Sequence, residues 1–180
     1  MALDKPSGLA VAARPPVPSD LSWLTGSAAD KDLRSPRWRG PVAARADIEA
    51  VLWAGVIAQW VVVDEAARPF ALVQFSDADL RHGYCNIDVV RPHDASAHHV
   101  VVAVEAGLEL LRRSFPIRRV IAHLLQPPER EQPSFFGIEW SEEGRLADHA
   151  VSGDGYDDLL ILGRNLWTHP PSRLLLSSDD

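Results

Sequence analysis

The sequence predicts an α/β fold built on a mixed sheet, and three observations carry that prediction. An apolar run from Ile57 to Val63, a turn at Asp64-Glu65 and a second run Phe70-Ala71-Leu72-Val73-Gln74-Phe75 spell an antiparallel hairpin. A long helical stretch closes at Phe115, Pro116 stops it, and Ile117 to Leu125 reads as a buried strand. A helix followed by a strand that returns to the same sheet requires a parallel crossover. Length and composition agree: 180 residues, 46% apolar and 24% charged, make one domain of ordinary size.

Taken in order, Ser19-Asp20 ahead of Leu21, Trp23 and Leu24 marks a helix start, with Asp20 or Ser19 as the cap. Ala46, Ile48, Val51 and Leu52 keep roughly helical spacing over about 42–54. The hairpin follows, and Asp77-Ala78-Asp79 leads to a third strand from His82 to Val90. That strand alternates, with His82, Tyr84, Asn86 and Asp88 on one face and Cys85, Ile87 and Val89 on the other. Asp94 to Ser96 supply cap chemistry for the long helix, which runs through Val100, Val104, Leu108 and Leu111. Arg112 and Arg113 in its last turn complement the helix dipole. Two last strands, about 144–151 and 158–165, flank Ser152-Gly153-Asp154-Gly155 as a hairpin loop. Residues 9–167 form the domain, with tails at 1–8 and 168–180.

Charge and cysteine content exclude several function classes. Twenty-five acids against 18 bases give a net charge of −7, which argues against a phosphate-backbone footprint on DNA or tRNA. Cys85 is the single cysteine, so a disulfide framework and a multi-cysteine metal site are both excluded, and its place beside Ile87 and Val89 predicts a buried, inert thiol. No metal is expected. No signal-like start and no long apolar run are present, so a cytoplasmic protein without a membrane span is expected.

Element order and residues together resemble the GNAT N-acetyltransferase superfamily, in particular its ribosomal-protein alanine acetyltransferase-like branch. The carrying segments are Phe70 to Phe75, Asn86-Ile87-Asp88-Val89-Val90-Arg91-Pro92, Glu105-Ala106-Gly107-Leu108 through Ser114-Phe115, and Ile117-Arg118-Arg119-Val120-Ile121-Ala122. Glu142-Glu143-Gly144-Arg145-Leu146, Gly155-Tyr156-Asp157-Asp158 and Trp167 complete the match, which covers about 9–167. The resemblance implies the GNAT fold, a central mixed, twisted sheet of about seven strands flanked by about four helices. It also implies acyl transfer from a thioester whose pantetheine arm pairs with a splayed strand. On that basis Val89, Val90, Arg91, Ser96 and His98 are the donor-binding candidates.

The sequence departs from the family where the donor's diphosphate sits. The family uses a glycine-rich turn there, because glycines let backbone N–H groups converge on an anion. Here the stretch is Pro92-His93-Asp94-Ala95-Ser96-Ala97-His98-His99, without a glycine and with Asp94 near the anion's place. Gln126-Pro127-Pro128 replaces the family's Asn, Phe135 stands near the usual acidic Tyr, and Glu139-Trp140 replaces Gly-Phe. An acyl-phosphopantetheine thioester on an acyl or peptidyl carrier protein retains the pantetheine arm and lacks that diphosphate, so it is the expected donor. Arg112, Arg113, Arg118 and Arg119 are the basic patch on which an acidic carrier would dock. Acetyl-CoA, or a catalytically silent binding protein of the same fold, are the alternatives.

Aminolysis of a thioester needs a neutral amine and a held geometry. The polar strand face supplies the candidates: His82 or Asp88 as general base, Tyr84 as acid or orienting hydroxyl, and Asn86 to orient a small-molecule amine. A half-wetted strand face with its polar groups paired is the competing reading. Trp53, Trp60, Arg145 and His149 are the acceptor-pocket candidates, with core packing for the tryptophans and strand-end ion pairing for Arg145 as the alternatives. His98 and His99 diverge too far on a helix to chelate one ion, which leaves capping, surface or phosphate-binding roles. Monomer and homodimer both remain open.

Overall fold

A computed structural model describes residues 11–28, 49–50, 52–91, 96–126, 139–152 and 155–167. Its strands are β1 (Ala12–Arg14), β2 (Val56–Val63), β3 (Pro69–Asp79), β4 (Tyr84–Val90), β5 (Arg119–Gln126), β6 (Ser141–Ser152) and β7 (Gly155–Asn165). Its helices are α1 (Leu21–Ala28), entered through a 3-10 turn at Pro18–Asp20, and α2 (Ala97–Ser114). Residues 49–50 and 52–53 are helical and lead into a turn at Gly55; the rest of the helix expected over about 42–54, apart from Ala54 in that turn, lies outside the described residues. The seven strands form one sheet in the order β1-β2-β3-β4-β5-β7-β6. All neighbours are antiparallel except β4 and β5, the pair that α2 connects.

Local chemistry sets the boundaries. In the β2–β3 connection the Asp64 carboxylate accepts from the amides of Ala66 and Arg68, both at 2.9 Å, and closes the turn. The third strand begins two residues later than its alternation predicts. Gly83, at φ +69°, donates its N–H to the Asp79 carbonyl at 2.7 Å, so 80–83 is a turn and His82 lies in it. At the head of α2 the Ser96 hydroxyl accepts from the His99 N–H and the Ser96 N–H donates to His99 Nδ1, both at 3.3 Å. This reciprocal cap starts the helix in spite of the β-branched Val100, Val101 and Val102.

Two cores sandwich the sheet. On one face Val62, Val73, Phe75, Cys85, Ile87, Val120, Ala122, Leu160 and Leu162 pack under α2 through Val100, Val104, Leu108 and Leu111. On the other, Val61, Val63, Leu72 and Val90 meet Leu21, Leu24 and Leu52. Gly107 explains how closely α2 lies on the sheet: a Cβ there would stand 2.7 Å from Val73 Cγ1. Arg164, buried on the α2 face, pairs with Glu105 of the helix and Glu139 ahead of β6, and so ties three elements. Cys85 is fully buried, and burial pushes its thiol up to about 12, which makes it inert as a nucleophile.

Candidate functional site

The sheet opens between β4 and β5. Their ladder runs from Tyr84↔Arg119 to Ile87↔Ala122 and ends there, although β4 continues to Val90 and β5 to Gln126. Each arm is held on its outer side. Asp88, Val89 and Val90 pair with Gln74, Val73 and Leu72 of β3, and His123 to Gln126 pair with Ile161 to Asp158 of β7.

A polar row crosses the sheet and meets this gap on the face opposite α2. Gln59 of β2 pairs with Gln74 of β3, and Gln74 pairs with Asp88 of β4. All three are buried, Gln74 completely. Gln74 Nε2 donates to the Leu52 carbonyl at 2.8 Å and to Gln59 Oε1 at 3.1 Å, which fastens the helical backbone at Leu52 to the row. Buried amides and a carboxylate inside an otherwise apolar sheet carry a large desolvation cost, so such groups mark a site or a tether.

Of the four residues expected to act together, Asp88 alone borders the gap. His82 sits in the exposed turn with its Nδ1 2.8 Å from Asp79 Oδ2, and that contact holds the Asp79 carboxyl below the usual range. Tyr84 is exposed at the opposite end of β4, about 13 Å along the strand from Asp88 at ordinary strand rise. Asn86 donates to Asp77 Oδ2 at 3.2 Å, and the Ser76 hydroxyl donates to the same oxygen at 3.0 Å. The chain therefore spreads His82-Tyr84-Asn86-Asp88 along a strand and its turn, and does not gather them at one reacting centre.

The donor candidates divide likewise. Val90 is buried in the core beside Leu72, so only its backbone faces the opening, and Val89 is half-buried against the α2 core. Arg91 is half-buried, Ser96 is committed to the cap and His98 is exposed on the first turn of α2. Residues 92–95, with Asp94, lie outside the described residues, as do Pro127, Pro128 and Phe135. The arginine patch lies at the far end of α2, whose 18 residues span roughly 27 Å. Its members are engaged there: Arg112 and Arg113 with Glu109, Arg119 with Glu143, and Arg118 Nε on the His82 carbonyl at 2.7 Å. Arg119, the member nearest the opening, starts β5 four residues before His123, about 13 Å along the strand.

The acceptor candidates do not share a pocket. Trp53 is exposed and lines a cleft of about 420 Å³ with Pro16, Val17, Pro18, Leu21, Glu49 and Leu52. Strand alternation turns Trp60 to the other face, edge-on to Phe75 with ring centres 5.9 Å apart. Arg145 bonds Asp158 at 3.1 Å and Glu142 at 3.3 Å, and both carboxylates raise its pKa. It pairs with Leu160 and so projects on the α2 face, while His149 is exposed on the edge strand β6.

Three residues at the site carried no assignment from the sequence: Gln59, Gln74 and His123. Their signal is a lone polar residue inside an apolar run, in Ile57-Ala58-Gln59-Trp60, Leu72-Val73-Gln74-Phe75 and Ile121-Ala122-His123-Leu124. Among the described residues no group of three or more His, Cys, Asp or Glu side chains converges as a metal site, and no helix is long and apolar enough to cross a membrane.

No family model and no curated protein matches the sequence. Solved structures do match the fold. Spermidine N-acetyltransferase from Vibrio cholerae, in complex with CoA and spermine, superposes with a TM-score of 0.67 at 14% identity, over 86% of this chain and 95% of that one. A mutant form of the same enzyme gives 0.69 at 13% identity over 86% and 93%. A chain assigned as a phosphinothricin N-acetyltransferase gives 0.67 at 18% identity over 88% and 99%. With its seven-stranded mixed sheet and its parted parallel pair, this chain has the fold of the GNAT N-acetyltransferases.

Proposed function

We propose that the protein is an N-acyltransferase that moves an acyl group from a phosphopantetheine thioester to a small-molecule amine. The observation that carries this reading is the parting of β4 and β5 at Ile87↔Ala122, with the buried row Gln59–Gln74–Asp88 running up to it. An amide-bearing arm laid between the parted strands finds backbone partners of the kind it needs, around Val89 and Val90 on one side. Asp88, buried at the head of the gap, draws the acceptor's ammonium toward the thioester carbon. Proximity of this kind contributes several kcal/mol to an aminolysis. The spermidine acetyltransferase of the same fold holds both CoA and a polyamine, which supports a thioester donor and an amine acceptor here.

A carrier-bound thioester remains the favoured donor over acetyl-CoA. The favouring observation is the glycine-free stretch from Pro92 to His99, which suits a donor without a diphosphate. The engaged arginines at the far end of α2 leave a carrier to dock at the open end of the sheet instead.

The test is acyl transfer followed by mass spectrometry. Acetyl-CoA and an acetyl-phosphopantetheinyl carrier protein are each offered with spermidine, an amino acid and an arylalkylamine, and donor binding is measured by calorimetry. Acetylated amine from the carrier, and weak or no binding of acetyl-CoA, is the expected result. Tight CoA binding with turnover moves the donor assignment to acetyl-CoA. Binding of neither donor and no acylated amine overturns the reading.

A further inference from the structure

We propose that His123 is the proton acceptor of the reaction, working across the gap from Asp88; the assignment rests on the acyl-transfer reading. Asn86 and Ile121 are partners in the β4–β5 ladder and therefore share a face. Asp88 and His123 lie two residues further along their strands, so they share that face too, at the first level where the strands part. His123 prolongs the polar row: Gln59, Gln74 and Asp88 reach the gap from β2, β3 and β4, and the imidazole meets them from β5. The alternate residues of β5, Val120, Ala122 and Leu124, are buried under α2, and on the His123 face Ile121 and Leu125 flank it. A half-buried imidazole in such a strand has no packing role that an aliphatic residue would not serve better.

The surroundings suit a base. Among the described residues, the charged groups on this face of the strands beside His123 are Asp88 at its own level, Asp157 two repeats outward on β7 and the Arg119–Glu143 pair two repeats inward. Ile161 lies directly across on β7. The nearest of these charges is the buried Asp88 carboxylate, and a carboxylate facing an imidazole across the gap orients the ring by accepting from its N–H.

The step balances as follows. The acceptor enters as an ammonium, and neutral His123 takes one proton, which passes to solvent. The freed nitrogen lone pair attacks the thioester carbon, forming the C–N bond. The tetrahedral adduct collapses with loss of its C–S bond, and the sulfur leaves with the electron pair. The nitrogen's second proton is matched by the proton that the thiolate takes up.

The experiment compares wild type with His123→Gln and His123→Ala across pH 5 to 10, using the acetyl-carrier protein or acetyl-CoA, whichever the wild type consumes. Loss of a positioned base lowers kcat by roughly 100- to 10,000-fold at pH 7. The expected loss leaves donor affinity unchanged, shrinks at high pH where the amine is already neutral, and is partly reversed by added imidazole in His123→Ala. Wild-type kcat in both variants overturns the assignment. So does a loss that is equal at every pH and is not restored by imidazole, since that is the mark of a structural role. A second readout needs no turnover: Asp88→Asn shifts the NMR resonances of the His123 ring in the free protein if the two face each other. Unmoved resonances overturn the pairing. Failure of the wild type to acylate any amine, with the resonances shifted as expected, instead strikes the acyl-transfer reading and leaves the pairing standing.

Discussion

Asp20 is buried at the entry to α1, where its carboxylate accepts from both guanidinium arms of Arg14 at 2.7 and 2.8 Å and from the Val17 N–H at 2.8 Å. The Arg14 hydrogen bonds hold its pKa below the usual carboxylate value. A depressed folded-state pKa stabilises the fold above the unfolded value near pH 4, and that contribution is lost as pH falls through the folded value. Asp20→Asn should therefore cost about 2–3 kcal/mol in urea unfolding at pH 7, and the gap to wild type should close below pH 4. Gly107 makes a second test. Alanine is the better helix former by about 1 kcal/mol, yet its Cβ would press on the stiff Val73 side chain. Overpacking costs about 1–3 kcal/mol, so Gly107→Ala should lower stability by about 1 kcal/mol, and adding Val73→Ala should relieve the clash in a double-mutant cycle. Individual roles were the least legible part of the sequence. Alternation put His82 in register with Asp88, but alternation holds only while the chain is extended, and Gly83 bends it first.

Elements were more legible, because their signals are local and repeated. The hairpin β2–β3, the helix α2, the stop at Pro116 and the return strand β5 all stand where apolar runs and turn residues place them. The parallel step from β4 to β5 followed from the helix between them. A tether such as Gln74 was not legible, since a glutamine in a strand pattern does not say which segment will cover it. Gln74→Leu removes the donor to the Leu52 carbonyl and leaves that oxygen and the Gln59 amide without it. The expected cost is about 1–3 kcal/mol. Hydrogen exchange should localise the loosening, with the Ala54 amide, bonded to Ala50 at 3.1 Å, exchanging faster while α2 keeps its protection. Unchanged exchange at Ala54 would contradict the tether.

For the whole molecule, strand order was beyond the sequence. A hairpin signal joins β6 to β7 but does not tell which of them lies against β5, and here the later strand takes the inner place. Burial decides it: β7 carries Leu159, Leu160, Leu162 and the buried Arg164, whereas most of β6 is exposed. The parted end has a thermodynamic reading as well. A donor bound only by the folded chain, at about 100 times its Kd, adds about 2.7 kcal/mol. In a chain of this size that should raise Tm by about 5–10 °C, and a scan with acetyl-CoA set beside one with the loaded carrier ranks the two donors directly.

The short β4–β5 ladder makes the sheet two leaves stitched along a brief seam, Tyr84↔Arg119 to Ile87↔Ala122. One leaf holds β1 to β4 and the other β5, β7 and β6. An arm slipped between the loose ends acts as extra stitching. Amide exchange should then slow on both inner margins at once, including stretches of β5 that the guest never touches, because breathing of either leaf loosens the other.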